Sequence, residues 1–273
     1  MTPRNHDPNV QLGRPFPFEW TLPYDDYSFS RRLYELVHDW GIPTETEISF
    51  LEQYINKPGA RIFDMACGGG RHALALAERG HEVAAVDIGP YPIDLAGERA
   101  RAKNLQINLH CENILNTAFQ NEFDLAYLIC GQMGHFSPAD NQRIFTLAFR
   151  ALKENGIFII HLSRLEDGDR HNRTMWYREK SPLYFEQESL VHREQYYFAE
   201  ERVKTVRDFA INSVTRDFRW FGISEKEYGP EEMTTMAERS GFATGELFGG
   251  YGHESYDPKG TALIMVFSKE SRN

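Results

Sequence analysis

Residues 61–72, Arg-Ile-Phe-Asp-Met-Ala-Cys-Gly-Gly-Gly-Arg-His, decide the fold. The segment starts as an apolar strand over 60–65 and passes through Gly68, Gly69 and Gly70. It then takes up helical spacing over 71–79, which Gly80 stops. Strands and helices go on alternating outward: strand 82–87, helix 91–103, and strands 106–111 and 123–129. Ser137-Pro138 predicts another helix start: Ser is a good N-cap, Pro suits the first turn and Asp140 faces the dipole. That helix is expected to reach about Glu154, where Asn155-Gly156 turns into a strand over 157–163. Such alternation builds an α/β fold, a parallel sheet with helices on both faces. The unbroken apolar runs IFDM, VAAVD and FIIHL are those of strands buried on both sides.

Upstream, residues 1–23 are rich in Pro, Asn and aromatics and show no period. They are expected to form an arm packed through Phe16, Phe18 and Trp20. Leu33, Leu36, Val37 and Trp40 predict a helix over 28–40; Ile48, Leu51, Tyr54 and Ile55 predict one over 44–56. Together 1–56 form an arm and helical cap on a core spanning 57–163. After Ser163 the chain turns polar and irregular. Three alternating runs follow, 190–198, 202–211 and 214–223, read as an antiparallel β flap inserted over 164–225. A helix at 230–240, stopped by Gly241, and strands 244–250 and 261–268 complete the core over 226–273. The expectation is a single domain over 1–273 with a seven-stranded, mostly parallel sheet.

The 273 residues are 41% hydrophobic and 26% charged, enough for one large core with decorations. The net charge of −10 repels polyanions, so neither nucleic acid nor membrane is an expected partner. Three cysteines are too few and too scattered for a disulfide framework. The N-terminus has no apolar leader, and no run reaches the roughly 18 apolar residues of a membrane span. A cytoplasmic location is expected. No His-x-x-x-His or similar spacing occurs among the ten histidines, so no metal is expected.

The glycine loop asks for a ligand. Gly68 and Gly70 allow close backbone approach, and the helix that follows presents free N–H groups. Asp87 ends the second strand, where a carboxylate can accept both ribose hydroxyls of an adenosine, with Ile88 beside it. Gly68-x-Gly70-x-x-Ala73 also satisfies the dinucleotide fingerprint. Two features favour S-adenosylmethionine (SAM) instead. Asp64, four residues before Gly68, suits a cationic amino group and would repel a pyrophosphate. Met65-Ala66-Cys67 also makes the loop longer than a dinucleotide turn. Cys67 reads as a small loop side chain, with no His partner to make it a nucleophile.

From the loop to Asp87 the chain resembles class I SAM-dependent methyltransferases, with their Rossmann-like sheet. Ala66 stands where that family usually has its first glycine. The resemblance implies that Asn113 and Ile114 hold the adenine, Glu112 being the rival acid, and that backbone at Ile129 and Cys130 approaches the methionine part. It covers about 24–268. Tyr27-Ser-Phe-Ser-Arg-Arg-Leu-Tyr34 and Met133-Gly134-His135-Phe136 look like segments of small-molecule N-methyltransferases. The amino-sugar N,N-dimethyltransferases and the glycine and sarcosine N-methyltransferases are the types most alike. The insert fits too, since there it roofs the substrate pocket.

The implied reaction is an in-line displacement that yields S-adenosylhomocysteine and a methylated small molecule, with an amine nitrogen as the expected acceptor. His135 is the candidate to take the acceptor's proton; its bland alternative is packing beside Ser137-Pro138. Tyr27 either hydrogen-bonds the acceptor, folds over the cofactor or merely packs; Tyr34 reads as cofactor wall or core. Arg71 either holds the methionine carboxylate or is a solvated first-turn residue. Arg164, Arg170, Arg173 and Arg178 read as a solvated basic stretch or an anion site. The rivals are oxygen or carbon methylation and a SAM-binding protein without catalysis. Ile129-Cys130-Gly131-Gln132 lacks the tetrapeptide that methylates planar base amines. A homodimer is a further expectation.

Overall fold

The computed structural model describes residues 26–36 and 43–270. The expected arm, with Phe16, Phe18 and Trp20, and the helical positions Val37 and Trp40 lie outside them. Helices α1 (Tyr27–Leu36) and α2 (Thr44–Glu52) precede the alternating core: β1 (Arg61–Met65), α3 (Arg71–Glu78), β2 (Glu82–Asp87), α4 (Pro90–Ala102), β3 (Asn108–Cys111), β4 (Phe123–Leu128), α5 (Pro138–Ala151) and β5 (Leu152–Ser163). Then come β6 (Arg173–Glu179), β7 (Ser189–Phe198), β8 (Val203–Asn212), β9 (Phe218–Lys226), α6 (Pro230–Ser240), β10 (Ala243–Phe248) and β11 (Ala262–Ser268).

Seven strands form the main sheet in the order β10-β11-β5-β4-β1-β2-β3. The pairs from β5 through β3 are parallel, and β11 runs antiparallel between β5 and β10. This is the Rossmann-like, mostly parallel sheet that the alternation predicts. Phe63 and Met65 of β1 pack with Val86, Leu128, Phe145 and Phe158 on one face. Ile62 packs with Leu51, Leu76, Ala85 and Tyr127 on the other. A core on each face is why these strands carry no polar alternation. The chain leaves β1 toward β2 on one side and returns to β4 on the other. The loops after these strands therefore diverge at their carboxyl ends and leave a crevice for a ligand.

Ser137 caps α5 as expected, its Oγ accepting from the Asp140 amide at 3.1 Å. The helix ends at Ala151 rather than Glu154, because Leu152 already turns extended and pairs with Phe123.

The insert holds a second, antiparallel sheet in the order β6-β7-β8-β9. It has four strands where three are expected. β6 escapes the sequence because it is an edge strand whose Arg173, Thr174, Met175 and Trp176 are all exposed, so no apolar alternation marks it. The last strand starts at Phe218 rather than Val214. Asn212 Oδ1 accepts from the Val214 and Thr215 amides at 2.8 and 3.0 Å and holds a turn there. Helix α1 joins this sheet to the core. Phe29 packs with Tyr184, Phe185, Val191 and Ala210, and Arg32 Nε donates to Leu183 O at 3.0 Å. On α4, Tyr91 receives Tyr27 and Tyr34 with ring centroids 5.3 and 6.0 Å away.

Candidate active site

The loop between β1 and α3 is left-handed at three positions: Ala66 (φ 64°), Gly68 (φ 54°) and Gly70 (φ 76°). Ala66 pays for this geometry with steric strain that glycine would avoid. Gly70 admits no side chain, since a Cβ there would lie 2.8 Å from Ala96 Cβ of α4. Gly70 also stands at the α3 N-cap and offers no side-chain acceptor. The loop is tied to β2, Cys67 N donating to Val86 O at 2.9 Å.

Two acids flank the loop. Asp87 Oδ2 accepts from Gly68 N, and its Oδ1 from Gly89 N, each at 2.8 Å. Burial pushes the Asp87 carboxyl up, and these amides oppose the shift. Asp64 is 2% exposed, and its Oδ2 has no partner among the described residues. Burial pushes it up to about 7, with the Asp87 charge adding; the Tyr127 hydroxyl, Arg71 and the Ala73 amide oppose. A buried carboxylate with an orphaned oxygen beside a glycine loop suits a ligand cation and disfavours a phosphate.

The other expected residues follow the carboxyl ends of β2, β3 and β4 or reach the loop from α1. Tyr34 Oη accepts from Gly69 N at 3.1 Å, and a Cβ on Gly68 would lie 2.5 Å from that oxygen. Ile88, which follows Asp87, is 41% exposed, whereas Ile114 and Ile129 are buried. Asn113 spends its Oδ1 on the Leu115 amide at 2.9 Å, capping the short turn Ile114–Asn116. Glu112, the rival acid, donates its amide to Asp87 O at 3.0 Å, and its carboxylate lies 3.6 Å from His110 Nδ1. Arg99 Nη1 donates to Gly69 O at 3.1 Å; a basic residue in the last turn of α4 gave no signal of this.

Arg71 is neither solvated nor free. Its guanidinium pairs with both Glu47 oxygens, at 2.9 Å from Nη2 to Oε1, and reaches Thr44 Oγ1 at 3.0 Å. Its Nη2 also lies 3.0 Å from Cys130 Sγ. His72 Nε2 is 2.8 Å from Glu47 Oε2. Glu47 is 1% exposed, and despite its burial His72 and Arg71 hold its carboxyl below the ordinary range. Glu47, His72 and Cys130 also bring three possible metal-ligand atoms within 4.8 Å of one another. The Arg71 guanidinium already supplies the positive charge there. Cys130 is left-handed (φ 63°), and burial pushes its thiol up to about 11. Behind it, Tyr251 Oη lies 3.1 Å from His161 Nδ1. The sequence marked neither Glu47 nor this pair.

His135 sits on the short turn Gln132–His135, just past β4, and that turn lies against β9 of the insert. Its Nδ1 is buried with no partner among the described residues. Burial holds the imidazole below its ordinary value, with Lys204 lowering it further; Glu225 and the Ser224 backbone oppose. Tyr27 is 47% exposed and contacts α4, its ring against Tyr91 and its hydroxyl facing Asp94. Among the described residues the two expected catalytic residues therefore share no partner, and Tyr27 packs on α4 with Tyr91. The basic stretch is paired: Arg164 and Arg170 hold Glu227 at 2.9 and 3.1 Å, Arg173 holds Gln195, and Arg178 holds Glu188. Among the described residues, no helix is long and apolar enough to cross a membrane.

Residues 62–156 match a family model described as a methyltransferase domain. The chain is 29% identical over 133 residues to a ubiquinone biosynthesis O-methyltransferase of Coxiella burnetii, covering 45% of this chain and 56% of that one. It is 29% identical over 126 residues to a glycine/sarcosine N-methyltransferase of Parasynechococcus marenigrum, covering 45% of each. The chain thus spans about half the length of the curated relatives it matches. A sugar N-methyltransferase of Streptoalloteichus sp. has a similar structure, with a TM-score of 0.58 and 16% identity. The match covers 98% of this chain and 100% of that one.

Proposed function

We propose that this chain, whose residues 62–156 match a methyltransferase domain, transfers the methyl group of SAM to a small molecule, with an amine nitrogen as acceptor. The observation that carries the reading is the pair of acids about the left-handed loop: Asp64 with a bare buried oxygen and Asp87 bonded to the Gly68 amide. Asp64 would hold the amino group of the methionine part. Asp87 would exchange its loop amides for ribose hydroxyls. Ile88, Asn113 and Ile114 would bound the adenine, and Ala66, Gly68, Gly70, Ile129 and Cys130 the backbone channel. Tyr34 would cover the loop, and Arg71 would meet the methionine carboxylate.

The bound SAM supplies an electrophilic methyl on a sulfonium. The chain's own work is to align an acceptor opposite the sulfur, exclude water and remove a proton. His135 fits the last task, because a partly desolvated imidazole kept neutral can accept a proton near pH 7. This supports an amine that must be deprotonated before attack. The likeness to a ubiquinone biosynthesis O-methyltransferase supports a second reading, an oxygen acceptor. Incubation with methyl-labelled SAM and matched amine and phenol panels separates them. Label in amines supports the first reading, and label only in phenols the second. No label in either, with SAM still bound, would instead favour a binding protein.

A further inference from the structure

The sheet of the insert has one covered edge and one open edge. At the β9 edge the core lies close: a Cβ on Gly134 would meet Lys226 O at 3.2 Å and Glu225 Cγ at 3.3 Å. At the other edge, among the described residues, β6 pairs with β7 alone, and no backbone hydrogen bond outside that ladder involves residues 173–179. The N–H and C=O groups that point away from β7 are therefore a template for one more strand.

Proteins commonly blunt such an edge with a bulge, a proline or a lysine, or keep it short. β6 uses none of these. It is seven residues long, Arg-Thr-Met-Trp-Tyr-Arg-Glu, and pairs with β7 in unbroken register from Arg173 to Glu179. Its Trp176 is 62% exposed. That ring ends a row of stacked rings that crosses the whole sheet, with successive centroids 4.5 Å apart to His192, 5.9 Å to Phe209 and 6.4 Å to Phe218. An apolar row that runs out to a bare edge marks an interaction surface.

The order of charges along β6 says what fits there. A strand that pairs antiparallel with its own copy about a two-fold axis meets its own sequence reversed. With the axis at Trp176, Arg173 stands opposite Glu179 of a second copy, at both ends of the pair. Met175 then stands opposite Tyr177, Thr174 opposite Arg178, and Trp176 opposite itself. No like charges meet, and the whole strand is paired. Moving the axis to Met175 or Tyr177 leaves part of each strand unpaired and separates Arg173 from Glu179. Among the described residues Arg173 bonds the neutral Gln195 at 2.9 Å and Glu179 the Ser181 hydroxyl at 2.6 Å, so neither charge is neutralised within the chain.

We propose that β6 is the docking strand for a second copy of this chain, four strands from each insert joining edge to edge in one antiparallel sheet with Trp176 on the two-fold axis. The open edge gains its missing ladder, the two Arg173–Glu179 pairs fix the register, and Trp176 leaves water. The pairing is the same whether the methyl acceptor is an amine or a phenol.

Sedimentation equilibrium of the full chain is the test. The unmodified protein is expected to be a dimer at about 10 μM. Arg173→Glu and Glu179→Arg each set like charges opposite each other at both ends, and each is expected to weaken the dimer about tenfold. An equimolar mixture of these two variants restores opposite charges at both ends and is expected to associate as tightly as the unmodified chain. Trp176→Lys places two ammonium groups together on the axis and is expected to give monomers; it serves if either charge variant fails to fold, which circular dichroism melting reports. A monomeric unmodified chain at about 100 μM, which would leave the edge to a different partner, overturns the proposal. So does a dimer indifferent to all three substitutions, and so does a mixture that associates no more tightly than its two components.

Discussion

The amide of Gly68 and the carboxylate of Asp87 are joined by a 2.8 Å hydrogen bond across nineteen residues of sequence. The glycine loop and the acid at the end of β2 are therefore one unit. The carboxylate shapes the loop, and under the proposed function it would take the ribose hydroxyls.

Replacing Asp87 by alanine is accordingly expected to cost at least about 100-fold in SAM affinity, since two charge-assisted bonds are lost together. Calorimetric titration measures it. Binding within twofold of the unmodified protein would remove Asp87 from the site.

Asp64 gives a pH signature. Its carboxyl is pushed up to about 7, mainly by burial, and a cationic amino group binds its ionised form. SAM affinity is expected to hold steady above that pH and to fall roughly tenfold per pH unit below it. The free protein behaves in the opposite sense. A carboxyl whose folded value exceeds its unfolded one takes up protons on folding between the two. Stability therefore declines as pH rises from about 4 to about 7. Asp64→Asn is expected to raise the melting temperature at pH 8 by about 3 °C while removing SAM binding. A lowered melting temperature would mean that the carboxylate is satisfied after all.

Glu47→Gln leaves the Arg71 guanidinium and His72 beside a neutral amide in a nearly closed space. The expected loss is about 3 kcal/mol in denaturant unfolding, the cost of stripping one partner from a buried pair. SAM affinity should also drop, because Arg71 loses its anchor. A loss of affinity with stability unchanged would show that the contact serves only the ligand.

His135→Ala is expected to lower turnover by about 100-fold while changing SAM affinity less than threefold. Steady-state kinetics beside calorimetry separates the two, and equal losses in both would make His135 a structural residue.

The core of this fold was legible because its signals are local. Phe63 and Met65 face one packed layer and Ile62 the other, so β1 shows as an unbroken apolar run. Ser137 caps α5 through an amide three residues away, within reach of any sequence reading. Residues that act across space were not legible. Glu47 meets Arg71 over twenty-four positions, and in the sequence it is one acid among several on a short helix. β6 was missed because an exposed edge strand need not alternate. Glu225 pairs with Lys204 only once two strands have been brought into register. Asn113 shows the opposite limit: its oxygen serves a cap two residues away, which the family pattern did not suggest.

Helix α1 is ten residues long. One of its anchors is the glycine loop, through Tyr34 and Gly69. The other is the inner side of the insert, through Phe29 and Phe221 with ring centroids 4.7 Å apart and through Arg32. A single short rod thus rests on the glycine loop and on the insert at once. Neither neighbour can shift against the other without loosening a contact of this helix, so the loop and the insert are mechanically tied through ten residues.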